Sequence, residues 1–149
     1  MTNPARRAQR GIDCIDLVLK RADRGSGTGS LIFVIGDFNQ DPTRLEVVLG
    51  RLCQRHTVIM LPVDDPADWS LPDMGRVVFH GMSGETMEID TSKASGRQAY
   101  EEAWKNRRKT LRNIAGRLGI TVISLRTDTD VHRSLMEGLK RRAASQGVR

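Results

Sequence analysis

The stretch Leu31-Ile-Phe-Val-Ile-Gly-Asp-Phe38 decides the fold class of this chain. Its first five residues are all apolar, and most of them favour β structure, which is typical of a parallel strand covered by helices on both faces. We therefore predict a central strand over Leu31 to Ile35. Asp37 follows this strand directly, at the edge where open α/β sheets bind their ligands. It is the first candidate for a functional residue.

The rest of the sequence alternates between helix and strand patterns. This order predicts an α/β fold, a parallel sheet flanked by helices, in one domain over residues 1–149 with a β-hairpin insertion at 75–90. The predicted helices are 6–23, 42–55, 95–118 and a last one from 131, the predicted strands of the main sheet are 31–35, 57–63 and 120–125, and those of the hairpin are 76–80 and 85–90.

Composition excludes several classes of protein. The chain has 149 residues, of which 38% are hydrophobic and 28% charged, as in one ordinary globular domain. No segment approaches the roughly 20 apolar residues of a membrane-spanning helix, and we expect the protein in the cytoplasm. Cys14 and Cys53 lack the spacing of metal ligands. We expect both cysteines to be reduced and half-buried on two helices.

A net charge of +6 raises the possibility of nucleic-acid binding. The excess cations lie at Arg6-Arg7-Arg10, Lys105-Asn-Arg-Arg-Lys109 with Arg112, and Lys140-Arg-Arg142, where polar helix faces would carry them in any case. Few aromatic residues are present to stack on bases. We therefore favour solvated helix faces, and keep nucleic-acid binding through the basic helix 95–118 as an alternative.

Acidic side chains follow all three predicted parallel strands. The pairs are Asp37 and Asp41, Asp64 and Asp65, and Asp128 and Asp130. Carboxylates at one sheet edge suit Mg²⁺, but acids after strands also cap the next helix or form turns. We assign the last five to those roles, because Asp41 precedes Pro42 at a helix start and Asp64 and Asp65 precede Pro66. Asp37 lies too early to cap that helix, so it stays a candidate ligand.

No catalytic residues are predicted. His56, His80 and His132 stand alone, with neither a nucleophile motif nor a pair at metal-ligand spacing. The segment Asp90-Thr-Ser-Lys-Ala-Ser95 approaches an Asp-x-Ser-x-Ser metal motif, but its last spacing is one residue too long. Trp69 and Trp104 are interpreted as packing residues, and Thr127 and Asp130 have capping-box-like spacing.

A series of short motifs runs along the chain in a characteristic order. They are Gly36-Asp-Phe38 after a strand, Arg55-His-Thr-Val-Ile-Met60, Val63-Asp-Asp-Pro66, Leu71-Pro-Asp73, Ile89-Asp-Thr-Ser92, an Arg-rich helix bearing Tyr100, Leu118-Gly-Ile120 and Thr127-Asp-Thr-Asp130. From about Ala5 to Arg142 the chain resembles the bacterial von Willebrand A-like proteins called domain of unknown function fifty-eight, commonly encoded beside MoxR-type AAA+ ATPases. This chain has glycine at position 36, where the family usually has serine.

The resemblance implies a von Willebrand A fold, present in this chain as a three-layer, Rossmann-like partial parallel sheet flanked by helices, and a metal-ion-dependent adhesion site. That site combines an Asp-x-Ser-x-Ser, a threonine from a second loop and an aspartate at the position of Asp37. The first two elements have no counterpart here, so the chain resembles the C-terminal half to two-thirds of such a protein. The resemblance thus implies a non-enzymatic protein-interaction module working with a MoxR-type ATPase and its client protein, with Mg²⁺ in the complete domain and none held tightly by this chain.

The resemblance also implies that the strand 31–35 pairs with a further strand outside this sequence. Without that neighbour its backbone groups stay unpaired, which favours association. We expect this edge to pair with another copy or a separately supplied N-terminal segment, or to be shielded by the N-terminal helix. An enzyme remains the main alternative: a Mg²⁺-dependent phosphoryl-transfer or nuclease domain using Asp37, Asp64 and Asp128.

Overall fold

The computed structural model describes residues 14–81 and 84–147. Helices and strands alternate along these ranges, and the protein is an α/β structure, as its sequence predicts. The elements are α1 (Cys14–Gly25), β1 (Leu31–Gly36), α2 (Pro42–Cys53), β2 (Thr57–Asp64), a 3₁₀ turn (Pro66–Asp68), β3 (Arg76–His80), β4 (Thr86–Asp90), α3 (Ala94–Arg117), β5 (Thr121–Val122), β6 (Leu125–Arg126) and α4 (Val131–Gln146). Residues 6–13 of the first predicted helix lie outside the described residues.

The main sheet is parallel and has β2 at its centre. β1 pairs with one side of β2, and the short strands β5 and β6 pair with the other. The prediction that 31–35 is a central strand is wrong for the described chain, because β1 is an edge strand. Its continuous apolar sequence resembles that of β2, yet Leu31, Phe33 and Ile35 are 48%, 42% and 65% exposed.

The third predicted strand, 120–125, is interrupted. The chain leaves regular pairing at Ile123 and Ser124, so two short strands replace one long strand. The Ile123 amide still donates to the carbonyl of Met60 at 2.9 Å, and its side chain is 3% exposed. The interruption therefore keeps the chain beside β2 and still directs an apolar side chain inward.

Helices cover both faces of the sheet and form three layers. On one face α1, α2 and α3 share a core with β1 and β2, and on the other α4 packs on β2, β5 and β6. The first core is built around Leu19, Val34, Phe38, Leu45, Val48, Leu49, Leu52, Val58, Met60, Leu111, Ala115 and Ile120. The second contains Ile59, Leu61, Ile123 and Leu125 with partly buried Val63, Leu135 and Leu139. α4 thus leaves the corresponding face of β1 bare.

The predicted hairpin is present as a separate two-stranded antiparallel sheet. It packs against α3, where the Phe79 ring stacks on Tyr100 with ring centroids 5.4 Å apart. Thr91, fully buried, accepts a hydrogen bond from the Met74 amide and donates to the carbonyl of Gly75. The insertion is therefore anchored to the long helix and is not an extension of the main sheet.

Helix ends follow the sequence signals closely. Asp41 caps α2 by accepting from the Arg44 amide at 3.0 Å, and Asp130 caps α4 by accepting from the Arg133 amide at 3.0 Å. Gly119 ends α3 with a φ of +66°, a conformation that glycine adopts without strain. Val131 begins the helix that Asp130 caps, and its side chain is 45% exposed.

Cys53 lies half-buried on α2, as predicted, and burial raises the pKa of its thiol. The side chain of Cys14 lies outside the described residues. Within the described ranges, no helix combines the length and apolar character that crossing a membrane requires.

Gly138 allows α4 to approach the sheet. A β-carbon added there would lie 2.8 Å from Ile123 Cγ1 and 2.9 Å from Ile123 Cδ1.

We expect Gly138→Ala to lower the free energy of unfolding by about 1–3 kcal/mol through overpacking. The matched control is Gly116→Ala on α3, where no atom lies within 4 Å. That change should raise stability by about 0.5–1 kcal/mol, because alanine restricts the unfolded chain. Urea unfolding of both variants measures this, and equal effects would contradict the close packing of α4.

Candidate functional site at the carboxyl ends of the strands

Asp37 lies exposed immediately after β1. Its Oδ1 accepts a hydrogen bond from the Asn39 amide at 3.3 Å, and its Oδ2 accepts from Asn39 Nδ2 at 3.2 Å. Within the described part of the chain, no lysine or arginine forms an ion pair with this carboxylate. It is therefore a charged group at the ligand edge of the sheet whose negative charge is not neutralised by a neighbouring cation.

Phe38 fixes the direction of the loop that carries Asp37. Phe38 has a φ of +53°, in the left-handed region that side-chain-bearing residues rarely adopt, and its ring is 7% exposed in the core beneath α2. Burial of the ring offsets the cost of the strained backbone, which is of order 1–3 kcal/mol. The chain therefore turns at Phe38 with the aromatic ring inward and the preceding carboxylate in solvent.

A buried ion pair joins the ends of β1 and β2 to α3. Arg108 Nε donates to Asp64 Oδ1 at 2.7 Å, and Arg108 Nη2 contacts the same oxygen. Both side chains are 6% exposed. The third guanidinium nitrogen, Nη1, donates to the main-chain carbonyl of Asp37 at 2.8 Å. One cation thus neutralises the acid of β2 and holds the loop after β1.

This pair corrects two sequence predictions. Asp64 was assigned to a turn, but it is the last residue of β2 and is buried. Arg108 was assigned to a solvated helix face, but it lies on the inward face of α3 with Leu111 and Ala115, three and seven residues further along. The helical spacing of Arg108 from Leu111 and Ala115 could have predicted that it faces inward. Its charge suggested a solvent-exposed position instead.

Two tryptophans connect this ion pair to the third strand end. The rings of Trp69 and Trp104 have centroids 5.1 Å apart. The Arg108 guanidinium lies 5.9 Å from the Trp104 ring, and that of Arg126 lies 4.9 Å from the Trp69 ring. The predicted packing role of both tryptophans is confirmed, and the two cations that flank them were not foreseen.

The remaining strand-end acids have structural partners. Asp65 accepts from Thr127 Oγ1 at 2.6 Å and from the Ala67 amide at 3.0 Å, and these bonds lower its pKa, that from Thr127 most. Asp128 binds Arg126 through two hydrogen bonds of 2.9 and 2.6 Å, and these lower its pKa. The turn roles predicted for both acids are confirmed. Thr127, however, bonds to Asp65 instead of forming a capping box.

The described residues do not by themselves fit a magnesium site. No group of three or more His, Cys, Asp or Glu side chains in ranges 14–81 and 84–147 is arranged to hold a metal ion. Asp37 is one carboxylate, and Asp64 already binds Arg108. Mg²⁺ usually keeps several waters and takes one or two carboxylates with further ligands from its partner. Asp37 alone can supply only one ligand.

The histidines and the Asp90 segment form no reactive cluster. His56 is buried at the opposite end of β2, with Nε2 3.1 Å from Asp23 Oδ1, while His80 and His132 are exposed. Asp90 accepts from Ser92 Oγ at 2.5 Å, and this bond is the largest cause of its lowered pKa. In the segment 90–95, which approaches a metal motif, the Asp90 carboxylate therefore binds a side chain of the same segment.

A shallow cavity of about 270 Å³ lies between the 3₁₀ turn and the first turns of α3. Trp69, Arg97 and Glu101 are among its lining residues, and none of the strand-end acids is. Arg97 is already engaged, donating to the carbonyl of Ser92 at 3.2 Å. The cavity is therefore separate from Asp37.

The model of the family described as "Protein of unknown function DUF58" matches residues 3–110. The chain belongs to this family. It is 33% identical over 113 residues to the uncharacterized protein MAV169 of Mycobacterium avium, an alignment that spans 75% of this chain and 64% of that relative. It is 34% identical over 113 residues to the uncharacterized proteins Rv1480 of Mycobacterium tuberculosis and Mb1516 of Mycobacterium bovis.

The match to Rv1480 and Mb1516 again spans 75% of this chain but only 34% of each relative. The chain thus covers between one third and two thirds of the length of these relatives. No solved structure matches the chain significantly.

The Asp64–Arg108 pair should show strong coupling between its partners. Arg108→Met leaves a buried carboxylate unpaired, and we expect it to lower the free energy of unfolding by about 3–5 kcal/mol. Asp64→Leu leaves the guanidinium unpaired and should be similarly costly. The double variant should lose much less than the sum of the two single losses, because no buried charge remains.

Urea unfolding of the wild type, the two single variants and the double variant measures this coupling. The matched control is the exposed pair Arg133–Glu137 on α4, whose removal should change stability only slightly. Strictly additive losses at Arg108 and Asp64 would contradict a role for their pairing.

Proposed function

We propose that this chain is a non-enzymatic protein-interaction module of von Willebrand A type that binds its partners at the carboxyl edge of the sheet, around Asp37. By its resemblance to ATPase-associated relatives, the partner is a MoxR-type AAA+ ATPase that acts with it in the maturation or assembly of a client protein in the cytoplasm. The observation that carries the proposal is the exposed Asp37 carboxylate, which no cation of the described chain neutralises.

The surroundings of Asp37 support a binding role. Arg108 holds the Asp37 main chain from inside the fold, and the buried Phe38 ring fixes the loop on its other side. A carboxylate on such a fixed loop loses little conformational freedom on binding, which favours recognition of a specific partner.

The magnesium part of the proposal involves polypeptide beyond this sequence. We propose that Asp37 supplies one ligand to a composite adhesion site whose other ligands lie elsewhere in a complete domain. The relatives are longer than the matched segment, so they contain additional chain that can provide them. The described residues supply Asp37 as a single ligand, so we expect the chain alone not to bind magnesium tightly.

Capture by the ATPase tests the interaction. A purified MoxR-type AAA+ ATPase from the genome that encodes this chain is immobilised, and binding of the chain is measured by interferometry. We expect the wild-type chain to bind and Asp37→Ala to bind at least tenfold more weakly, because an interface carboxylate is worth roughly 1.4 kcal/mol or more.

The matched control for that experiment is Asp73→Ala. Asp73 is also an exposed aspartate in a loop and accepts from a main-chain amide two residues ahead, that of Gly75. Its removal should leave binding unchanged. Equal losses for the two variants, or no capture of the wild type, would sink the proposed interaction.

The enzyme alternative has less support from the geometry. It needs Asp37, Asp64 and Asp128 to share metal ions. Arg108 occupies Asp64, and Arg126 binds both oxygens of Asp128. A metal would have to displace two guanidinium groups, one of them buried.

Nucleic-acid binding keeps one specific observation in its favour. Arg107, Lys109 and Arg112 are exposed on α3, and no ion pair of these three is found within the described chain. Lys105, by contrast, pairs with Glu101 at 2.6 Å. Three free cations on one helix are few for a phosphate-binding surface, and aromatic side chains for base stacking are scarce.

One set of measurements separates these alternatives. Titration calorimetry of the chain with Mg²⁺ should give no tight binding, and Asp37→Ala should give the same trace. Incubation with single- and double-stranded DNA and Mg²⁺ should give no cleavage. Tight Mg²⁺ binding that disappears in Asp37→Ala, or DNA binding that weakens steeply with salt, would favour the corresponding alternative instead.

A further inference from the structure

Three residues on one face of α3 connect the hairpin to the carboxyl edge of the sheet. Tyr100, Trp104 and Arg108 are spaced four residues apart, so their side chains follow one another along the helix. At 1.5 Å per residue, the first and the third are about 12 Å apart along the axis. They contact in turn the hairpin, the 3₁₀ turn and the loop after β1.

The hairpin is packed tightly on the first turns of α3. A β-carbon added at Gly96 would lie 3.3 Å from the carbonyl carbon of Asp90, the last residue of β4, and closer still to its oxygen. Arg97 Nη1 donates to the carbonyl of Ser92 at 3.2 Å. These contacts join the base of the hairpin to the helix, and the Phe79 ring adds a contact further along β3. Displacing the hairpin therefore also displaces this end of α3.

The 3₁₀ turn after β2 contacts the middle of the same face. The Tyr100 hydroxyl donates to the carbonyl of Ala67 at 3.4 Å, and the ring of Trp104 packs against that of Trp69. Trp104 Nε1 is buried and has no acceptor among the described residues. A buried donor without an acceptor destabilises the arrangement that contains it. The unsatisfied N–H therefore lowers the cost of a small shift of α3 at this point.

The far end of this face holds the loop after β1. The Arg108 side chain is 6% exposed, and its three guanidinium nitrogens bind Asp64 and the main-chain carbonyl of Asp37. A shift of α3 away from these acceptors leaves donors of a buried cation unsatisfied, which is costly. The loop must therefore follow α3 or lose its hydrogen bond to Arg108.

We propose that the hairpin and the Asp37 loop are energetically coupled through this face of α3. Loosening the hairpin releases the Asp37 carbonyl from Arg108, and the loop becomes mobile. Because coupling between two sites is reciprocal, a ligand that fixes the loop also strengthens the packing of the hairpin on α3. The hairpin insertion is then a second position, away from Asp37, from which the carboxyl edge is regulated.

Mobility of the Asp37 loop tests the coupling from the hairpin end. Phe79→Ala removes the ring that stacks on Tyr100. We expect the amide order parameters of residues 37–39, measured by NMR relaxation, to fall from about 0.85 to below about 0.6. The matched control is Val78→Ala, a neighbouring side chain that is 50% exposed, which should leave them unchanged. The Gly29 amide, at the other end of β1, should stay unchanged in both variants.

Hydrogen exchange in the hairpin tests the coupling from the opposite end. Arg108→Lys keeps the positive charge but loses the nitrogen that donates to the loop after β1. We expect the amide of Thr91, at the hairpin base, to exchange at least about fivefold faster relative to the Ile123 amide of the main sheet. Arg117→Lys is the matched control on the same helix, because Arg117 pairs with Glu46 at the surface.

Unchanged loop mobility in folded Phe79→Ala would overturn the proposal, as would an effect of equal size in Val78→Ala. The same holds for an unchanged ratio of the Thr91 and Ile123 exchange rates in Arg108→Lys. Circular dichroism checks folding, and Phe79→Leu, which also removes the stacked ring, replaces Phe79→Ala if that variant does not fold. All these measurements use the chain by itself, so the coupling stands or fails independently of the proposed ATPase binding.

Discussion

The contact between Arg108 and Asp64 is the constraint on which the carboxyl edge of this sheet depends. A buried cation needs a full set of acceptors, and here they come from a strand end and from the loop after the neighbouring strand. The indole rings of Trp104 and Trp69 extend this cluster toward Arg126. Charge neutralisation therefore organises the buried part of the edge, and Asp37 remains the acid turned to solvent.

Much of the fold was predictable because the signals are local. The cap at Asp41, the stop at Gly119 and the hairpin each depend on residues close together in sequence, and the structure has all three. Strand order was not predictable in the same way. β1 and β2 are both apolar runs, and only their neighbours in space decide that one is central and the other an edge.

The candidate site was half predictable for a similar reason. The exposure of Asp37 and the turn roles of Asp65 and Asp128 follow from their positions along the chain. Asp64 and Arg108 lie 44 residues apart, and neither residue alone indicates a buried partner. Their charges suggested that both side chains are exposed to solvent. Only their pairing in the folded chain offsets the free-energy cost of burying them.

The hydrogen bond from Arg108 to the loop after β1 reaches a main-chain oxygen, not the side chain of Asp37. Every amino acid offers the same carbonyl, so the fold places little demand on which side chain stands at position 37. During divergence this position can change its chemistry while the scaffold beneath stays as it is. Such separation of framework from surface lets one fold acquire new specificities without first being re-stabilised.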